Sequence, residues 1–195
     1  MTRIRRALPV LLALLFIVPA YGQTTLIKGP LTVAVGETVI FLPSSNPLFP
    51  RWSVFPGSSV QIIGSNTGGI LTVRIASMPH NGRARVSLGV TDFWFDVVEE
   101  PAVLTEAEAL RFARRLSRDD LVNCVLAFDL LFACSHRPPL VEDNLITLIK
   151  AMSLAYGSFE SLLQSAVLRM EQVDTYDMFR NNWRLFSELR RLVVR

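Results

Sequence analysis

The stretch "NGRARVSLGVTDFWFDVV", residues 81–98, decides how the first half of the chain is built. Within "ARVSLGV" (84–90), Ala84, Val86, Leu88 and Val90 alternate with Arg85, Ser87 and Gly89. Successive strand side chains point to opposite faces, so this pattern predicts one dry face and one wet face. Antiparallel sheets with one solvated side read this way. In "FWFDVV" (93–98) the same period turns Phe93, Phe95 and Val97 inward. It turns Trp94 outward, together with Asp92 and Asp96.

Short strands of this kind continue toward the N-terminus. "LTVAV" (31–35), "TVIFL" (38–42), "RWSVF" (51–55), "VQII" (60–63) and "ILTVRIA" (70–76) are separated by "PSSNPLFP", "PGSS", "GSNTGG" and "SMPHNG". Those separators carry the Gly, Pro, Asn and Ser chemistry of turns. About seven strands at this spacing predict a β-sandwich or barrel over residues 23–99.

The ordered set "VAVGETVIFL", "RWSV", "GGILTVRIAS" and "NGRARVSLGVTD" resembles bacterial immunoglobulin-like and PKD-like domains over about residues 25–99. The resemblance implies that Trp52 fills the core between two sheets. It also matches Leu71 and Val73 to one strand of the family and Gly82 to Val90 to another. The chain departs from the family pattern in having no cysteine pair across the sheets and no Tyr for a tyrosine corner.

After "EEPA" (99–102) the period changes from that of a strand to that of a helix. "LTEAEALRFARRLS" places Thr105 and Glu108 at capping-box spacing. A second helix is expected from about Arg118 to Cys134, capped by Ser117 and stopped by "HRPP". "VEDNLITLIKAMSLAY" predicts a third, ended by Gly157, which can adopt a left-handed cap. "SFESLLQSAVLRMEQ" and "TYDMFRNNWRLFSELRRLVV" predict a fourth and a fifth. The fold class expected is therefore an all-β immunoglobulin-like sandwich followed by an all-α helical bundle. The two domains would meet through a linker at 100–103, with the bundle over 104–195.

The first 22 residues read as a signal peptide. Arg3, Arg5 and Arg6 precede an apolar run from Ala7 to Ala20, and Ala20-Tyr21-Gly22 supplies small residues for cleavage between Gly22 and Gln23. The run is shorter than the ~20 residues of a membrane span, so no stable anchor is expected after cleavage. The localisation expected is exported, periplasmic or extracellular. Across the whole chain 20 basic side chains face 17 acidic ones; without residues 1–22 each sign has 17. A neutral mature chain gives no field for nucleic acid, so no nucleic-acid partner is expected.

"LLFACSHRPP" (130–139) puts Cys134 two residues from His136 in a chain with only two cysteines and two histidines. Residues two apart on a helix do not face each other, and a thiolate needs a base in hydrogen-bond reach. Three or four metal ligands are not gathered in sequence either. Cys124 and Cys134, ten apart on one helix, would lie about 15 Å apart, beyond disulfide reach. His80 lies in a loop, there is no G-x-S-x-G, and Ser58 and Ser59 read as turn residues. The acids Asp119, Asp120, Glu142 and Asp143 fall at helix starts, where the helix dipole favours them. Asp129, inside "VLAFDLLFA", is the exception. Tyr176, Phe179, Trp183 and Phe186 recur at helical spacing and read as core. No catalytic, cofactor-binding or metal-ligating residue is assigned, and no cofactor is expected.

The remaining candidates form an interface: Trp94 with Asp92 and Asp96. An outward Trp on the last strand packs either on the helical half or on a partner, and the short "EEPA" link points to the former. The function expected is a non-enzymatic binding or structural protein of the bacterial cell envelope or extracellular space, acting through protein contacts. The alternatives are carbohydrate binding through exposed aromatics, or a cell-wall or polysaccharide hydrolase using acids such as Asp129, Glu142 and Asp143.

Overall fold

The computed structural model describes residues 25–45, 47–133, 136–172, 174, 177 and 180–194, with backbone only for 129–133. The expected cleavage point at Gly22 and Gln23, Cys134, Tyr176, Phe179 and the side chain of Asp129 lie outside the described residues.

Among the described residues eight strands come first: β1 (Ile27–Lys28), β2 (Thr32–Ala34), β3 (Thr38–Pro43), β4 (Trp52–Phe55), β5 (Val60–Ile63), β6 (Leu71–Ile75), β7 (Arg83–Leu88) and β8 (Thr91–Val98). They form two four-stranded sheets, β1-β3-β6-β5 and β2-β8-β7-β4. The first is antiparallel throughout. The second is mixed, because β2 runs parallel to β8. The residues 27–28 form a strand that the sequence pattern does not announce; two residues are too few for any period.

Between the sheets lies a core of Val33, Phe41, Trp52, Leu71, Val73, Val86 and Phe95, among others. Trp52 is fully enclosed, and its indole N–H donates to the Gly68 carbonyl at 2.9 Å. That bond lets a polar tip enter an apolar space without a desolvation penalty. Gly29 lies against the Phe41 ring so closely that an added Cβ would fall 2.0 Å from it. Val90 departs from the expected inward face. Gly89 takes a left-handed φ of 61°, the strand ends at Leu88, and Val90 sits fully exposed at the β7–β8 turn.

Among the described residues, the helices that follow include α1 (Glu106–Ala113), α2 (Arg118–Ala133), α3 (Pro139–Tyr156), α4 (Phe159–Met170) and α5 (Trp183–Val193). The caps form as their sequences predict. Thr105 and Glu108 close a capping box on α1, Ser117 and Asp120 bond reciprocally before α2, and Gly157 ends α3 with φ 90°. Of the aromatic stripe, Phe186 is buried and Trp183 packs on it at 4.7 Å between ring centroids.

The expected class, an all-β sandwich followed by a separate all-α bundle, is corrected by how the second core is built. The helical residues Phe112, Leu145, Leu162, Phe186 and Val193 share one apolar cluster with Ala34, Ile40 and Leu42. Ala34 belongs to β2, and Ile40 and Leu42 belong to β3. On β3, Val39 and Phe41 face the core between the sheets, while Ile40 and Leu42 face the helices. All six residues of β3 are buried, so this strand is dry on both faces. The helices therefore do not close a core of their own; they complete one begun by the strands.

Polar contacts reinforce this seam. Glu37, in the turn between β2 and β3, is fully buried and forms an ion pair with the guanidinium of Arg190 on α5, itself 2% exposed. The other Glu37 carboxylate oxygen accepts the Ala34 N–H at 3.1 Å. Asn144 on α3 accepts the Leu104 N–H at 2.6 Å and donates to Ala102 O at 2.8 Å and Val193 O at 3.0 Å. One side chain thus fastens the segment after β8, the third helix and the end of α5.

Candidate functional site

The interface candidates lie on the outer face of the second sheet, and strand register explains their surroundings. On β8, Phe95 and Val97 are buried between the sheets, so Asp92, Trp94 and Asp96 must face out. All three are exposed, Trp94 at 41%. Directly opposite Trp94 on β7 is Arg85, and directly opposite Arg85 on β4 is Phe55. The flanking rows are Ser53–Ser87–Asp92 and Arg83–Asp96–Thr32.

The guanidinium carbon of Arg85 lies 5.5 Å from the Trp94 ring centroid and 5.6 Å from that of Phe55. That of Arg83 lies 5.7 Å from Trp94. Cations at this range are attracted by the ring quadrupole, by about 0.5–1 kcal/mol at exposed sites. Arg85 also donates to Asp92 at 3.0 Å, and the Ser87 hydroxyl donates to the other Asp92 oxygen at 2.6 Å. Arg83 pairs with Asp96 at 3.2 Å. Exposed pairs of this kind add little stability. Their effect is to hold two arginines beside an indole.

Trp94 is 41% exposed, and the guanidinium groups of Arg83 and Arg85 of β7 lie beside its ring. Sequence reasoning found β8 but missed Phe55, Arg83 and Arg85 as its companions. Arg85 was already on the wet face of "ARVSLGV"; the missing information was the register that sets it between two aromatic rings.

The other candidates stay apart. Cys124 is a free, buried thiol whose pKa is pushed up by burial and then by the charges of Asp120 and Glu188. A thiol held protonated is a poor nucleophile. His136 is exposed in a left-handed conformation (φ 86°), and His80 is exposed in its loop. Ser59 is buried and accepts a hydrogen bond from Ser77 at 3.2 Å. Glu106, Glu108, Asp119, Asp120, Glu142 and Glu160 occupy first turns of four different helices. Among the described residues no three His, Cys, Asp or Glu side chains gather as metal ligands. Among them, too, no helix is long and apolar enough to cross a membrane. No protein-family model and no curated protein sequence matches the chain.

Proposed function

We propose that this chain is a non-enzymatic binding protein whose contact surface is the outer face of the β4-β7-β8 sheet, centred on Trp94. The observation that carries the reading is a half-exposed indole held between two arginines, each tied to an aspartate. Trp and Arg are the residues that most often anchor protein interfaces, because they combine large contact area with directional donors. Two Asp and two Arg make the face neutral, so a partner must match its pattern rather than its net charge. The leader-like segment at residues 1–22 supports placing this protein in the bacterial envelope or outside the cell, as a structural or binding component.

The test is cross-linked affinity capture of the tagged protein from its native cells, run beside Trp94→Ala. One stoichiometric protein lost from the capture with Trp94→Ala, while the variant keeps its thermal transition, is the expected result. Carbohydrate binding is the competing reading, favoured by Phe55 and Trp94 lying in one row. Sugars stack on open aromatic faces, however, and here guanidinium groups already attend both rings. Saturable quenching of Trp fluorescence by a glycan, with no protein captured, would overturn the proposal in favour of that reading.

A further inference from the structure

Three connections meet at one end of the sandwich. Residues 44–51 join β3 to β4, residues 64–70 join β5 to β6, and the 89–90 turn joins β7 to β8. Backbone bonds tie them together. The Trp52 N–H donates to Asn66 O at 2.8 Å and the Gly89 N–H to Arg51 O at 3.5 Å. Arg51 and Thr67 form an antiparallel bridge. Thr25, where the described chain starts, shares a 3.0 Å hydroxyl hydrogen bond with Ser45 of the first connection.

The tips of this end are apolar. Leu48 is 91% exposed and Phe49 93%, between Pro47 and Pro50, whose fixed φ stiffens the loop. Val90 is fully exposed on the neighbouring turn, Ile70 is exposed where residues 64–70 end, and so is Leu26, whose N–H donates to Ser44 Oγ. Single exposed apolar side chains are ordinary, but several gathered at one end mark a contact surface for protein or lipid. The charge pattern selects between these. Across all three connections the sequence holds one charged side chain, Arg51, and no acid. A bilayer surface suits that set, since apolar tips enter the acyl boundary while a guanidinium stays among the phosphates. Position along the chain agrees. The apolar run ends at Ala20, five residues before Thr25, and five residues reach at most ~18 Å. While that run occupies a bilayer, before cleavage, this end of the sandwich is held near the lipid.

We propose that this end is a reversible lipid-contact surface, which sets Leu48, Phe49 and Val90 into the interface of a phospholipid bilayer with Arg51 at its phosphates. The three side chains bury about as much hydrocarbon as one acyl chain, which by itself gives only marginal, reversible binding. The surface is separate from the Trp94 face, so Trp94→Ala leaves lipid contact intact and the two proposals stand or fall independently.

The experiment places an indole at either end of the sandwich: Phe49→Trp at the tip, and Ser58→Trp on the exposed β4–β5 connection at the opposite end. The protein, as its native cells process it, is mixed with phosphatidylcholine vesicles carrying brominated acyl chains, with and without an equal part of phosphatidylglycerol. Expected is quenching of the emission added by Phe49→Trp and none of that added by Ser58→Trp. It should occur with both compositions and change little with salt, because one arginine supplies little attraction to anionic lipid. Leu48→Ser combined with Phe49→Ser should lower vesicle co-sedimentation about tenfold or more. Its thermal transition should not move, because neither side chain is buried. Equal quenching of the two indoles, or quenching of neither, would overturn the proposal. So would binding that needs phosphatidylglycerol and vanishes in salt. Loss of a captured protein from the double variant, with vesicle binding unchanged, would assign the tips to a protein pocket instead.

Discussion

Cys124 illustrates how far burial alone can define a residue. Its thiol pKa is raised above the ordinary 9.0 chiefly by desolvation, with Asp120 and Glu188 adding to the shift. The folded state therefore keeps the proton where the unfolded chain releases it. A folded pKa raised in this way gives stability that is full below 9.0 and is lost as pH climbs beyond it. Relative to Cys124→Ala, the parent protein should lose about 1.4 kcal/mol per pH unit above that point. Urea unfolding between pH 7 and 11 measures the gap; a constant gap would refute the burial argument. The same residue should resist alkylation until the protein unfolds. Its burial was legible, since Val125 and Leu126 beside it are apolar. The coulombic neighbour Glu188 was not, because it arrives from a helix more than sixty positions later.

Elements were read well where they repeat a period and poorly where they depend on one contact. The faces of β7 and β8 and the caps of α1, α2 and α3 follow from local sequence, since alternation and capping act within a few residues. Asn144 gave no such signal; a polar residue on an amphipathic helix normally faces water. In the fold it is 1% exposed and bonds to the backbone of two other segments, residues 102–104 and the end of α5. Asn144→Leu should leave the Leu104 N–H and the Val193 carbonyl unpaired. At about 1–3 kcal/mol for each of these two buried groups left unpaired, the expected loss is about 2–6 kcal/mol. Chemical denaturation measures it, and a loss under 1 kcal/mol would mean that water replaces the amide. Hydrogen exchange should then rise first at residues 102–104 and at the end of α5, the segments Asn144 fastens.

At the scale of the whole molecule, the sequence suggested two bodies on a short tether, and the shared core replaces that picture. Nothing local marks Ile40 and Leu42 as belonging to a different core from Val39 and Phe41. A strand buried on both faces has no alternation to read. The Glu37–Arg190 pair is likewise invisible in sequence. Removing one partner of a buried ion pair strands the other charge and typically costs about 3–5 kcal/mol. Glu37→Gln should therefore lower stability by roughly 3 kcal/mol, and strands and helices should melt in one transition. Calorimetry with far-UV circular dichroism checks both; two separate transitions would restore independent domains.

The same pair also constrains how this protein can be made. Glu37 lies near the front of the chain and Arg190 near its end, so the carboxylate emerges from the ribosome long before its counter-charge exists. Enclosing an unpaired carboxylate costs several kcal/mol, which discourages the first strands from closing around it while synthesis continues. Ile40 and Leu42 likewise have no helices to cover them until later segments are made. The first strands thus stay slack until α5 has been made to supply the partner of Glu37.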